Sequence, residues 1–219
     1  MKEDFIKQAK VEISKHGPGG ISILSLSKAI GVPKQQLYAE FNNREGVMAA
    51  VLTDLFVGLY NISVSINDVE NFNVLEKITA YYALCVMKPL RRKKEIGVHF
   101  LLHNAPFWEN LDGEKRIELE DAYFLHFNFI ERVLERHQIT INKDELMGAK
   151  LKMHSLERGM LLIKLNIFTP CKCCQEKDII HFMAREVAML FKEIAQDINE
   201  DNVAHWIGDF LSSIPNWAE

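Results

Sequence analysis

Residues 22–46 of the chain read SILSLSKAIGVPKQQLYAEFNNREG, and this stretch predicts two short helices joined by a tight turn. The first helix begins after Ser22, a good N-cap residue, and Gly31 permits a left-handed turn that a residue with a Cβ resists. Pro33 suits the first position of the second helix, where its missing N–H costs nothing. A helix, a glycine turn and a second helix form the helix-turn-helix pattern, whose second helix enters the major groove of DNA.

The residues on the outward face of the second helix distinguish a DNA-binding motif from an ordinary helical hairpin. Leu37 and Phe41 form its apolar stripe, which leaves a polar face outside: Lys34, Gln35, Gln36 and Tyr38. Glutamine can hydrogen-bond adenine in two places, whereas lysine and tyrosine can hold phosphate. We expect the two glutamines to read bases, and the expected phosphate contacts are Ser22, Lys34, Tyr38 and Arg44. The pattern alone leaves a solvated helix of an all-α protein as the alternative.

Residues 5–53 resemble the N-terminal domain of the tetracycline-repressor (TetR) family of bacterial transcription regulators. The residues that carry the resemblance are Ala9, Gly17, Ile21-Ser22-Ile23, Leu26, Gly31-Val32, Lys34, Leu37-Tyr38, Phe41 and Arg44-Glu45. The resemblance implies an all-α fold in which residues 1–47 form a three-helix helix-turn-helix DNA-binding domain and residues 48–219 form a helical effector-binding and dimerisation domain. The sequence departs from the family at Gln35, where glycine is frequent, and at Ala39 and Glu40, where an aromatic residue and a histidine are common.

Composition agrees with a regulator better than with a general nucleic-acid coat protein. The 219 residues are 48% hydrophobic, enough for a real core, and the net charge is −4. Residues 1–53 hold seven Lys/Arg and five Asp/Glu, which gives 7 − 5 = +2 and leaves −4 − 2 = −6 for the remainder. The charged start of the chain is not expected to be a signal peptide, and no stretch is expected to reach the roughly 18 apolar residues of a membrane helix. The cysteines are not expected to form a secreted disulfide framework. We expect a cytoplasmic protein.

Apolar spacing divides the rest of the chain into helices. Besides the helix-turn-helix, it predicts helices over about 3–16, 44–66, 74–88, 91–103, 114–137, 143–168, 176–197 and 200–213. Residues 104–112 are expected to form a loop, and Ile117 and Phe124 to point inward. The run Arg91-Arg92-Lys93-Lys94 is either a solvated first turn or a contact with flanking DNA backbone.

The long helices predicted over 143–168 and 176–197 carry continuous apolar stripes. Four such helices can pack across a two-fold axis and form a homodimer. The expected dimer residues are Leu156, Met160, Ile163, Met183, Val187 and Leu190. The alternative is that both stripes are core of a single subunit.

Aromatic, methionine and histidine residues in the second domain are candidates for contact with a small effector. The candidates are Tyr82, Phe100, His103, Trp108, Phe127 and His154, and a wider set adds Tyr81, Phe107 and Met160. Core packing explains each of them equally well.

Metal or redox sensing is a second interpretation. His99 and His103 stand four residues apart and can bind zinc or copper from one helical face. Cys171, Cys173 and Cys174 can supply thiolates to a metal or act as a redox switch.

An enzyme is not expected, because the sequence has no nucleophile elbow, glycine-rich phosphate loop or HExxH motif, and no cofactor motif is present. A helical enzyme or an interaction protein that does not read DNA remains a third interpretation. The favoured prediction is a ligand-responsive repressor that binds a palindromic double-stranded DNA operator as a homodimer and responds to a small-molecule effector.

Overall fold

The computed structural model describes residues 2–90, 96–165, 175–194 and 196–213, with residues 96, 164 and 165 described in backbone only. The fold contains twelve α-helices, and no strand occurs in these ranges. The helices are α1 Lys2–His16, α2 Ile23–Ile30, α3 Lys34–Phe41, α4 Arg44–Asn67, α5 Val74–Leu90, α6 Ile96–His99, α7 Ala105–Glu109, α8 Gly113–Phe127, α9 Phe129–Arg136, α10 Lys143–Leu165, α11 Glu176–Leu190 and α12 Glu200–Ser213. Short 3-10 turns lie at Pro18–Gly20 and Phe100–His103. The predicted all-α class is confirmed.

Two predicted helix ends and one predicted loop are wrong. Helix α5 continues through Pro89 to Leu90, because a proline in the last turn removes only one hydrogen bond of the ladder. The predicted loop over 104–112 contains α7, whose first turn is capped by the Asn104 side chain accepting from Phe107 N at 3.1 Å. Helix α11 ends at Leu190, because Phe191 leaves helical geometry at φ −118° and ψ 36°.

The helix predicted over 114–137 is two helices, α8 and α9, separated at Asn128. The inward stripe of α8 is Leu119, Ala122 and His126, spaced by three and four residues. Ile117 is 60% exposed and Phe124 is 53% exposed, so the prediction that they point inward is wrong. The buried stripe lies elsewhere on the helix circumference.

Packing divides the described residues into two compact units. The first unit holds the described residues of Met1–Gly58 and Arg92–Leu125, and the second holds those of Leu59–Arg91 and His126–Ile214. Helix α4 is continuous across Gly58. The predicted domain boundary after residue 47 remains a prediction.

Each unit has its own apolar core. In the first unit, the rings of Phe5 and Phe41 pack edge to face with centroids 6.0 Å apart, and Leu26 and Leu37 are fully buried. In the second unit, α5 is buried along nearly its whole length and packs against α9, α10, α11 and α12. Helix α5 is therefore the central helix of the second unit, and its side chains lie in the core.

Helix α4 corrects the expectation that no stretch reaches membrane-spanning length. By length and composition, Arg44–Asn67 is apolar enough to cross a membrane, with a mean hydropathy of 1.7 over its best window. However, 61% of that window is buried inside the protein, as it is in the core helix of a soluble fold.

Candidate nucleic-acid interface and buried polar cluster

Local hydrogen bonds fix the turn between α2 and α3. Gly31 adopts the left-handed conformation at φ 76° and ψ 27°, as the sequence predicts. The amides of Gly31 and Val32 both donate to Ser27 O, at 3.0 and 3.2 Å, and the Ser27 hydroxyl donates to Val32 O at 2.6 Å. The end of α2 and the approach to α3 are therefore held together by one serine.

The junction between α3 and α4 is equally constrained. The Asn43 side chain accepts from Gly46 N at 2.8 Å and donates to Asn110 O at 2.7 Å. A Cβ at Gly46 would collide with the backbone carbonyl of Phe41, so this position has room only for glycine. These contacts fix the short connection between α3 and α4.

The orientation of α3 buries its apolar stripe and exposes its polar face. Leu37 and Phe41 are buried, whereas Lys34, Gln35 and Gln36 are exposed and the Tyr38 side chain is 48% exposed. No side chain caps the start of α3, where Pro33 stands at the N-cap. The structure thus places the four predicted contact residues of this helix on one accessible surface, which we call the α3 face: Lys34, Gln35, Gln36 and Tyr38.

The two other predicted phosphate contacts already have structural roles. Ser22 and Ser25 form a reciprocal capping box at the start of α2, with Ser25 N donating to Ser22 Oγ and Ser22 N to Ser25 Oγ, each at 3.0 Å. Arg44 donates from Nε to Ile21 O at 3.1 Å and from Nη2 to Pro18 O at 2.8 Å. Arg44 therefore ties the start of α4 to the segment that precedes α2.

The carboxylate of Glu40, on α3, acts on a lysine of the first unit. Burial opposes the charge of the Lys115 ammonium, but Glu118, Glu114 and Glu40 outweigh burial and raise the pKa of Lys115.

The second unit contains a buried cluster of polar side chains between α5, α8 and α10. We define the buried cluster as Tyr81, Tyr82 and Cys85 from α5, His126 from α8, and His154 and Glu157 from α10. His126 Nε2 and His154 Nδ1 approach the same carboxylate oxygen, Glu157 Oε2, at 3.3 and 3.4 Å. Two imidazole rings from different helices therefore converge on one buried carboxylate.

Tyrosine hydroxyls fix the opposite edges of both imidazole rings. Tyr81 OH lies 2.7 Å from His126 Nδ1, and Tyr82 OH lies 3.3 Å from His154 Nε2. Because each ring has one nitrogen on a hydroxyl, its other nitrogen is directed at Glu157. Neighbouring rings hold this arrangement: Tyr81 stacks on Phe129 with centroids 3.8 Å apart, and Phe127 stacks on His154 at 4.9 Å.

Burial and the contacts inside the buried cluster shift the pKa values of its titratable groups. Burial lowers the pKa of His126, because the imidazolium would lose its hydration. Burial alone would raise the pKa of Glu157, but its contacts with His126 and His154 hold that pKa well below its ordinary value. Burial raises the pKa of the Cys85 thiol, and the nearby Glu157 carboxylate raises it further.

The structure brings three of the six predicted effector residues together. Tyr82, Phe127 and His154 meet at the buried cluster, whereas the other three lie in the first unit. There, Phe100 and Trp108 are half-buried and His103 is exposed. Trp108 donates from Nε1 to Leu102 O at 2.8 Å, which is a structural contact within the first unit.

The predicted metal pair of His99 and His103 does not form one helical face. His99 ends α6 and is buried, and the following 3-10 turn leaves His103 exposed. In a 3-10 turn, residues three apart align, so a spacing of four no longer places two side chains together. The alternative cysteine group, Cys171, Cys173 and Cys174, lies outside the described residues.

Sequence reasoning missed Cys85, His126 and Glu157 as members of a site. A usable signal existed only for His154 and Glu157, which stand three residues apart on one face of α10. Cys85 and His126 come from other helices with no diagnostic spacing, so only packing shows their proximity.

The predicted dimer residues fall into two groups. Met183 and Val187 are 0% exposed, so these two are core residues of a single chain, as the alternative interpretation stated. Leu156, Met160 and Leu190 are half-buried, and Ile163 is 48% exposed. Helix α10 also exposes a further apolar set: Met147, Leu151 and Leu162.

Comparison with solved structures places this architecture among known folds. The structure of the fatty acid degradation regulator FadR from Bacillus halodurans is similar, with a TM-score of 0.59 and 16% sequence identity over 86% of this chain and 97% of that one. A TetR-family transcriptional regulator from Mesorhizobium loti is similar with a TM-score of 0.59 and 14% identity, over 88% of this chain and 96% of that one.

Sequence comparison adds no further relative: no protein-family model matches the chain, and no curated protein matches it. Both similar structures are those of regulators. The structural similarity extends along almost the full length of both regulators. The chain therefore has the all-α, TetR-type fold.

Proposed function

We propose that the protein is a sequence-specific DNA-binding transcription regulator. The observation that carries this proposal is the α3 face, where Lys34, Gln35 and Gln36 are exposed above a fixed apolar stripe in a helix-turn-helix. A helix presented this way fits the major groove, and glutamine amides suit adenine edges. The fold shared with the two regulators supports the same function.

Lys34 and Tyr38 are the phosphate contacts of this proposal, together with the uncapped start of α3. Ser22 and Arg44 have structural roles, because Ser22 caps α2 and Arg44 ties the start of α4 to the segment before α2. They keep the α3 face in position, and direct phosphate binding by them is secondary.

The active form in this proposal is a homodimer that binds a palindromic operator. Two α3 faces would enter major grooves about one helical turn, roughly 34–36 Å, apart. The surface that suits a second copy is the exposed apolar side of α10, where Leu151 and Leu162 are each 54% exposed. Four predicted dimer residues remain candidates for this interface: Leu156, Met160 and Ile163 on α10, and Leu190 on α11.

A small-molecule effector would control DNA binding through the second unit. Tyr82, Phe127 and His154 are its best-supported contacts, because they meet in one place. Helix α4 connects the two units as one continuous helix, so an effector that favours a different position of α4 would change the separation of the two α3 faces. We place the protein in the cytoplasm as a repressor without catalytic activity.

The direct test is a selection of bound duplexes from a random double-stranded DNA pool at near-physiological salt, with the full chain. We expect enrichment of an inverted repeat whose half-sites lie about one helical turn apart. A folded, dimeric chain that enriches no sequence, with or without a library of small effectors, would contradict the proposal.

A further inference from the structure

The buried cluster has the ligand chemistry of a metal centre. Cys85 Sγ, one ring nitrogen of His126 and a Glu157 carboxylate oxygen all lie within 4.8 Å of one another, and all three residues are buried. His154 Nδ1 lies 3.4 Å from Glu157 Oε2 and offers a fourth ligand atom. Nitrogen and sulfur donors combined with one carboxylate favour zinc over magnesium or calcium, which prefer oxygen alone.

We propose that the buried cluster binds a zinc-class divalent metal ion. The ligand atoms are Cys85 Sγ, His126 Nε2, His154 Nδ1 and Glu157 Oε2. This site differs from the two metal sites that the sequence suggests, and it requires no DNA binding.

The distances fit a tetrahedral ion. Bonds of about 2.1 Å from zinc to nitrogen and oxygen place neighbouring ligand atoms about 3.4 Å apart. The two measured nitrogen-to-oxygen distances at Glu157 are 3.3 and 3.4 Å. Cys85 Sγ lies within 4.8 Å of the other ligand atoms, so the sulfur borders the same position.

Charge balance favours the same ion. A thiolate from Cys85 and a carboxylate from Glu157 carry two negative charges, which a divalent ion neutralises inside the low-dielectric core. The thiol would release its proton to solvent as the metal binds, because zinc is held by thiolate.

Two tyrosines supply the outer hydrogen bonds that metal-bound histidines need. Tyr81 OH contacts the far nitrogen of His126, and Tyr82 OH contacts the far nitrogen of His154. Such contacts fix the tautomer and orient the ring, so that the other nitrogen faces the metal. Tyr81 and Tyr82 are therefore positioning residues.

The first experiment uses cobalt as a spectroscopic substitute for zinc. The full chain has four cysteines, so Cys171→Ser/Cys173→Ser/Cys174→Ser leaves Cys85 as the single thiol. After treatment with chelator, loading with Co²⁺ and removal of excess metal, we expect about one ion per chain, tetrahedral visible bands and a thiolate-to-cobalt charge-transfer band. A folded chain without bound cobalt, or with cobalt but no thiolate band, would overturn the proposal.

The second experiment assigns the other ligands in the same background. His126→Gln, His154→Gln and Glu157→Gln should each weaken cobalt binding by more than the roughly 10–100-fold expected for loss of an outer hydrogen bond. Tyr81→Phe should weaken it by about 10–100-fold and keep the tetrahedral spectrum. His181→Gln, at an exposed histidine that pairs with Glu200, is the matched control and should bind normally.

Metal affinity equal to that of the parent chain in Glu157→Gln or His126→Gln, or loss of the ion in His103→Gln, would overturn the assignment. If a ligand variant fails to fold, as circular dichroism would show, the cobalt spectrum of the parent chain still decides the proposal. Because all measurements use DNA-free protein, they are independent of the proposed DNA binding.

Discussion

The α3 face and the buried cluster show how differently two sites of one chain depend on sequence. The α3 face is built from neighbours: Gly31, Ser27 and Gly46 lie within a few residues of the helix that they position. The buried cluster is built from three helices, since Cys85, His126 and Glu157 are separated by long stretches of chain. Contiguous sequence therefore specifies the first site, and tertiary packing specifies the second.

The largest expected effect on stability compares a buried apolar residue of α11 with an exposed apolar residue of α10. Val187→Glu would bury an unpaired charge and should lower the free energy of unfolding by about 3–5 kcal/mol. Leu151→Glu, on the exposed side of α10, should leave the chain folded and convert a dimer to a monomer. Denaturant unfolding and light scattering measure the two properties.

A soluble, stable Val187→Glu chain would show that this residue is not core. A Leu151→Glu chain that stays dimeric would remove the α10 surface from the interface.

The next effect concerns the local construction of the first unit. Gly46→Ala would push a methyl group into the Phe41 carbonyl and should destabilise the first unit by about 1–3 kcal/mol, with loss of DNA binding. Gly208→Ala on α12 is the control, because a Cβ there meets nothing within 4 Å and alanine favours the helix by roughly 0.5–1 kcal/mol. Thermal unfolding of both variants provides the comparison, and equal stability would contradict the close approach at Gly46.

A smaller effect is expected at the α2 cap. Ser22→Ala removes the hydroxyl that accepts from Ser25 N and should cost about 1 kcal/mol of stability. Ser22→Asn preserves a capping oxygen and should restore most of that loss. DNA affinity that falls far more than stability in Ser22→Ala would instead assign Ser22 to direct phosphate contact.

The smallest effect separates phosphate contact from base reading. Lys34→Ala should weaken all duplexes alike and reduce the slope of log affinity against log salt by about one. Lys143→Ala, at an exposed lysine of α10, should leave the slope unchanged. Salt titrations of a specific and an unrelated duplex check this, and an unaltered slope for Lys34→Ala would remove the lysine from the phosphate contacts.

The comparison also explains which features the sequence could predict. Apolar spacing, Gly31 and the asparagines after Phe41 act locally, so α1–α4 follow the prediction closely. The break at Asn128, the end of α11 at Phe191 and the exposure of Ile117 depend on what each helix packs against, which local spacing does not contain. The same limit applies to the buried cluster, in which Tyr82 and His154 were predicted and Cys85 and His126 were not.

The measurement that tests the central claim most directly is the affinity ratio between a selected inverted repeat and a scrambled duplex, at one salt concentration. It compares the parent chain, Gln35→Ala, Gln36→Ala and the control Gln196→Ala, which changes an exposed glutamine of the second unit. We predict that each α3 variant loses about 1–3 kcal/mol of discrimination at one base position per half-site, and that the control loses none. An unchanged ratio in both α3 variants would contradict DNA reading by the α3 face.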